Sequence, residues 1–285
     1  MSVLDAIAKR IEEKPIPSMI AIELLKLIED EDHSLKEVVR LVENDASLTS
    51  EVLKVANTPA YFRGQPATTV QRAVLLLGEM MVVGIAICAS SSIVFHSPLE
   101  GYDSATGEMW DHSVRSAIAS RSIAKYTKKK VSPGLAFTAG LLHDIGKSVL
   151  SEFLVGHGDE INHLQESAED KDFLEMERDI LGTDHTKVGF ALAKSWKLPE
   201  PFQYVIRDHH NPSQTKEEYL GLVYTVHLAD LISMLGGAGT GSDSLSYKVA
   251  SDYEEHVQIS KEELSLILLD VQEEFTVLKE SILSK

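Results

Sequence analysis

Three stretches of this 285-residue chain set imidazoles beside carboxylates where the surrounding sequence is apolar. The sharpest is Leu141-Leu142-His143-Asp144-Ile145-Gly146-Lys147, in which two metal-ligand side chains follow a run that reads as a buried helix. A buried carboxylate and imidazole are costly when unpaired, and one cation satisfies both. Upstream, Glu108 and His112 stand four residues apart, one turn along one face of a helix, so both can address the same ion. Downstream, His227 and Asp230 are three apart among apolar residues; Asp230 is the expected ligand, and His227 is either its supporting partner or a core histidine. Between them lie Asp184-His185 and His209-His210. Asp184 reads as an ordinary N-cap, whereas His185 with His209 and His210 fits a second metal site, the alternative for the last two being stabilisation at a helix end. Imidazole and carboxylate ligands without thiolate suit iron, manganese or zinc.

The elements that must position these groups are helical. Apolar residues recur at helical spacing from Ile20 to Ile28 and from Leu35 to Val42, a short helix follows Asn44-Asp45, and Thr68 or Thr69 caps another that Gly78 closes. In the second half the spacing predicts helices over Glu108 to Lys125, Pro133 to Phe153, Phe173 to Asp179, Thr186 to Trp196, Glu200 to His209, Glu217 to Leu235 and Lys261 to Ser281. Sustained β alternation is absent, so the expected class is all-α. The turn-rich segment between His96 and Gly107 divides an N-terminal half, 1–96, from a metal-site half, 108–285, with 97–107 as the connection.

Hydrophobic residues make up 44% and charged residues 25%, which fits a globular chain. The net charge of −17 repels phosphate backbones and argues against general nucleic-acid binding. The lone Cys88 in an apolar stretch fits a reduced, cytoplasmic protein, and its bland reading is a small buried core residue. No signal peptide is visible, and the most membrane-like run, Ala73 to Phe95, is interrupted by Glu79 and diluted by Ser90, Ser91 and Ser92, so it reads as a buried helix. The glycines Gly236, Gly237, Gly239 and Gly241 follow no strand and precede no Lys-Ser/Thr pair; a flexible loop is expected there instead of a phosphate cradle. Lys125 and Lys128 to Lys130, the basic cluster, read as a solvated helix end or a face for an acidic partner.

With these residues in place the sequence resembles the HD superfamily, whose motif of a lone His, a His-Asp pair and a distant Asp is matched by His112, His143, Asp144 and Asp230. More specifically it resembles the HDOD family through Ile16-Pro17, the helices to Val42, the element Asn44-Asp45-Ala46-Ser47-Leu48-Thr49, Ala56-Asn57-Thr58, Ala73 to Gly78, Gly189, Trp196, Leu198-Pro199 and His209-His210. The likeness covers most of 11–212. It implies an HD-like helical bundle with an additional N-terminal helical subdomain and a role in signal transduction. HDOD proteins are similar to the HD-GYP phosphodiesterases, and many have lost metal ligands; here Glu108, His112, His143, Asp144, His185, His209, His210 and Asp230 stand where such ligands are expected. Asn211-Pro212-Ser213 follows the double histidine with no Gly-Tyr-Pro, which speaks against cyclic di-GMP as substrate. If the site is catalytic, Asp144 is expected to bridge two divalent ions, with His112, His143 and Asp230 on one, His185, His209 and His210 on the other, Glu108 completing the shell and Lys147, one turn past His143, neutralising phosphoryl charge. The expected partner is a small phosphate ester or nucleotide, or a signalling protein if the metal is structural or sensory.

Overall fold

The computed structural model describes residues 2–283 apart from positions 31, 63, 168–170 and 244–245. No strand forms among the described residues, and the chain is all-α. The N-terminal helices are α1 (Val3–Glu13), α2 (Met19–Glu29), α3 (Leu35–Glu43), α4 (Ala46–Ala56), α5 (Val70–Leu77), α6 (Glu79–Ser90) and α7 (Ser92–His96). Then come α8 (Glu108–Ile123), α9 (Pro133–Leu142), α10 (Lys147–Leu154), α11 (Gly158–Ser167), α12 (Phe173–Leu181), α13 (His185–Ser195), α14 (Glu200–Asp208), α15 (Leu220–Leu235) and α16 (Lys261–Leu283).

Local chemistry explains where these helices start and stop. Asp45, Thr69, Asp172 and Asp184 each accept a hydrogen bond from a backbone N–H in the first turn of the helix they cap, satisfying donors that have no intrahelical partner. The apolar run 73–95 is not one buried helix: α5 and α6 meet at 107° across Gly78, and both turn buried side chains inward. No single helix is long and apolar enough to cross a membrane.

One contiguous hydrophobic core runs from Ile7 to Leu278 and joins the two halves, with Leu99 and Tyr102 of the connecting segment buried in it. At its centre α8 packs against α9 and α15. The approach of α8 to α9 depends on Gly140, where a β-carbon would lie 2.4 Å from Ser120 Oγ and 2.7 Å from the Ser116 carbonyl oxygen. A single helix over Pro133 to Phe153 is expected from the apolar pattern, but the chain breaks into α9 and α10 at His143–Gly146, where the backbone bonds run i to i+3. The break presses Gly146 against α13: a β-carbon there would sit 1.9 Å from the His185 carbonyl oxygen and 2.5 Å from Gly189 N. Burial of a polar His-Asp pair and close contact with another helix end therefore arise from the same turn.

Candidate metal centre

Four helices and the turn after a fifth deliver the site. His112 comes from the middle of α8, His143 and Asp144 from the turn after α9, and His185 from the first position of α13. His209 and His210 follow the end of α14, and Asp230 lies on α15. All seven are buried, His210 being the most accessible at 9%.

The imidazoles are pre-set to present Nε2. His112 donates its Nδ1 hydrogen to the Ala238 carbonyl (2.6 Å), His143 to the Gly140 carbonyl (2.7 Å), and His209 to the carbonyls of Val205 and Ile206 (both 3.1 Å). His185 Nδ1 meets the Glu177 carboxylate at 2.9 Å. Fixing the proton on Nδ1 leaves the Nε2 lone pair pointing inward. Those lone pairs converge on two carboxylates. His112 and His143 Nε2 each lie 3.5 Å from Asp144 Oδ2, and 3.1 and 3.5 Å from Asp230 Oδ1. His185 and His209 Nε2 both lie 3.4 Å from the other oxygen, Asp144 Oδ1.

Lone pairs facing lone pairs in a dry interior repel unless a cation stands between them. Asp144 Oδ1, Asp230 Oδ1, His185 Nε2, His209 Nε2 and both ring nitrogens of His210 are buried with no hydrogen-bond partner. Ligands on one ion at about 2.1 Å, subtending angles of about 90–110°, are separated by about 3.0–3.4 Å, and the observed separations of 3.1 to 3.5 Å match that spacing. Two ligand groups share Asp144: one with His112 and His143, one with His185, His209 and His210. The donor set therefore fits divalent cations.

The electrostatics agree. Burial alone would raise both carboxyls, but His143 and Lys147 hold Asp144, and His112 and His143 hold Asp230, well below the ordinary carboxylate range. Burial pushes His209 down to about 4 and His210 well below its usual value, so both are neutral ligands at neutral pH. Burial opposes charge on His143 and His185 too, yet Asp144 and Asp230 around the one and Glu177 beside the other outweigh it and raise both. A pocket that pulls protons onto these imidazoles is one that favours positive charge.

Two expected site residues already have other partners. Glu108 is exposed at the first position of α8, and its carboxylate accepts from Ala105 N (2.8 Å) across the helix start. It shares a face with His112, but its carboxylate folds back onto the loop before α8 and joins none of the ligand groups. Lys147 is buried, but its ammonium is already engaged, 2.6 Å from Asp144 Oδ2, 2.6 Å from Asp243 Oδ2 and 2.8 Å from Thr240 Oγ1. Three partners use its three donors.

Other residues were not expected. Glu177, fully buried on α12, accepts from the Tyr102 hydroxyl (2.6 Å), His185 N (2.8 Å) and His185 Nδ1. Its sequence signal is spacing: Phe173, Glu177 and Leu181 share a helix face whose other two members are buried. The segment after α15, expected to be a flexible loop, instead supplies the Ala238 carbonyl to His112 and Thr240 and Asp243 to Lys147. Tyr247 stacks on His210, with ring centres 3.9 Å apart, and donates to Asp243 Oδ2 (2.7 Å). His227 donates from Nδ1 to the His209 carbonyl and accepts from Ala250 N, which makes it a clamp for the double histidine.

The sequence profile of the HDOD domain matches residues 15–212. An uncharacterized protein of Treponema pallidum (strain Nichols) is 28% identical over 229 residues, which is 79% of this chain and 43% of that protein; the chain thus spans less than half the length of the curated relative it matches. Among solved structures, an HDOD domain protein of unknown function from Geobacter sulfurreducens aligns with a TM-score of 0.69 at 23% identity, covering 98% of this chain and 99% of its own. A candidate phosphohydrolase from Shewanella amazonensis SB2B aligns at 0.70 and 22%, covering 97% of both chains. A candidate signal transduction protein from Marinobacter aquaeolei VT8 aligns at 0.75 and 19%, covering 97% of this chain and 63% of its own. At these identities the structural likeness speaks for the fold.

Proposed function

The chain belongs to the HDOD domain family, and from that premise we propose that it is a signal transduction protein that keeps a two-ion metal centre and uses it to hydrolyse a small phosphate ester. The observation that carries this reading is the division of Asp144: each carboxylate oxygen faces two imidazole Nε2 atoms, Oδ2 at 3.5 Å and Oδ1 at 3.4 Å. His112, His143, Asp230 and Asp144 Oδ2 would hold one ion, and His185, His209, His210 and Asp144 Oδ1 the other. Bound there, the ions supply the Lewis acidity that lowers the pKa of water toward neutrality and offsets the charge of a phosphoryl group.

The chain's own residues do the rest. Lys147 keeps Asp144 ionised and aimed, and Asp243 and Thr240 keep Lys147 in place. Glu177 and the carbonyls of Ala238 and Gly140 hold the imidazole tautomers. A cleft of about 10 Å³ lies beside the cluster between His210, Asp230 and Tyr247, about enough for one water. A phosphate ester entering by that cleft would have to displace Tyr247.

That burial favours a second reading, in which the ions stabilise or sense and nothing turns over. Metal analysis of the purified protein, with hydrolysis of bis(p-nitrophenyl) phosphate in manganese or iron, separates the two. The first reading expects bound metal and turnover, both lost in His143→Ala and Asp144→Ala; metal without turnover supports the second, and full metal occupancy in both variants contradicts each.

A further inference from the structure

Across α8 and α9 from His112 and His143 lies a cavity of about 170 Å³. We infer that it is a binding site for a small, uncharged aromatic or branched aliphatic molecule, and that its occupant bears on the metal centre through a shared wall. The lining is carbon: Val55, Ile85, Val114, Phe137, Leu141 and the ring of Trp110. The polar contribution comes from Glu51 and His96, and Glu51 is 3.2 Å from Lys54, so no uncompensated charge faces the cavity from that side.

An apolar cavity of about 150 Å³ stays dry and takes up benzene, so this one has room for about six to ten non-hydrogen atoms. Segments from α4, α6, α7, α8, α9 and α16 line it as a recess open on one side, which suits a small molecule better than the flat face of a partner helix. Its aromatic wall is fixed in advance: Trp110 is stacked on His96 (5.7 Å between ring centres) and tilted against Phe275 (6.0 Å). Ala89, exposed at the end of α6, lines the cavity and marks its mouth.

Residues two apart on a helix point about 200° from each other. Trp110 and Val114 therefore face the cavity while His112 between them faces the cluster, and Leu141 faces the cavity just before His143 turns away from it. An occupant that pushes on α8 and α9 pushes on two metal-facing imidazoles. This coupling, though not the cavity itself, rests on the metal reading above.

The probe is fluorobenzene, titrated into metal-loaded protein and followed by ¹⁹F NMR, with chelator-driven metal release measured alongside. We expect one saturable site with Kd of about 1 mM or tighter, binding weakened at least tenfold in Ala89→Phe at unchanged helicity and metal content, and a metal-release rate altered at least twofold at saturation. Absence of saturable binding, or equal binding by Ala89→Phe, overturns the site. Unchanged metal release with probe bound overturns the coupling. Concentration-dependent self-association that Ala89→Phe abolishes, without probe binding, would assign the cavity to a second copy of the chain and overturn the small-molecule reading.

Discussion

Glu177→Gln is nearly isosteric, yet it attacks the proposed centre through the tautomer of one ligand. The carboxylate is an acceptor at every contact: from the Tyr102 hydroxyl at 2.6 Å, from His185 N at 2.8 Å and from His185 Nδ1 at 2.9 and 3.0 Å. Glutamine brings an NH2 group that must donate. With the amide oxygen kept toward His185 N, the NH2 group faces the Tyr102 hydroxyl, which can rotate to accept, and lies about 3.0 Å from the His185 Nδ1 hydrogen, a donor–donor clash that the imidazole relieves by moving its proton to Nε2, the atom that faces Asp144 Oδ1 at 3.4 Å. A ring protonated at Nε2 is no ligand there. Loss of such a supporting partner typically costs 10–100-fold in metal affinity, or about 1.4–2.7 kcal/mol. Because His185 belongs to the group with His209 and His210, only that ion should weaken, and occupancy should fall from two toward one per chain when metal is limiting. Competition with a chromophoric chelator measures the affinity, and long-range ¹H–¹⁵N spectra of the histidine rings report the tautomer. Wild-type affinity at both sites, with the His185 proton still on Nδ1, would refute the reasoning.

Gly146→Ala should destabilise the fold by about 1–3 kcal/mol or more, since the added carbon meets backbone atoms of His185 and Gly189 that have no side chain to move aside; urea unfolding reads the loss. Lys147→Met strips the cation from between Asp144 and Asp243, a break of a buried pair expected to cost about 3–5 kcal/mol in metal-free protein and less once metal is added, as thermal melts with and without manganese would record. For pH dependence the sign follows from His209, whose folded value is held at about 4. Between about pH 6.5 and 4 the unfolded chain takes up a proton there that the folded chain refuses. Its contribution to stability is therefore intact above that window and lost as pH falls through it, so metal-free His209→Asn should show a shallower decline from pH 6.5 to 4 than the wild type.

Much of the centre was legible in the sequence because its ligands break the rules of their surroundings. His143 and Asp144 end an apolar run, and Asp230 sits in Val-His-Leu-Ala-Asp-Leu-Ile, places where an unpaired polar group is costly. Glu108 shows the limit of spacing: i and i+4 share a face, but nothing in the spacing tells that the residue at the helix start turns back onto the preceding loop at Ala105. The break between α9 and α10 was hidden because the apolar pattern continues through it, and the contact that forces it, Gly146 on the His185 carbonyl, is tertiary. Glu177 was readable in principle, being in register with Phe173 and Leu181. Asp243 was not: it lies in a glycine-rich segment whose local chemistry describes a loop, and only the fold brings it to Lys147.

The most direct test is anomalous X-ray diffraction from crystals of the protein loaded with manganese, iron or zinc. The account predicts two peaks flanking Asp144, one within ligand distance of His112, His143 and Asp230, the other of His185, His209 and His210. Density free of metal peaks at that carboxylate, or a metal held only by surface residues, would contradict it.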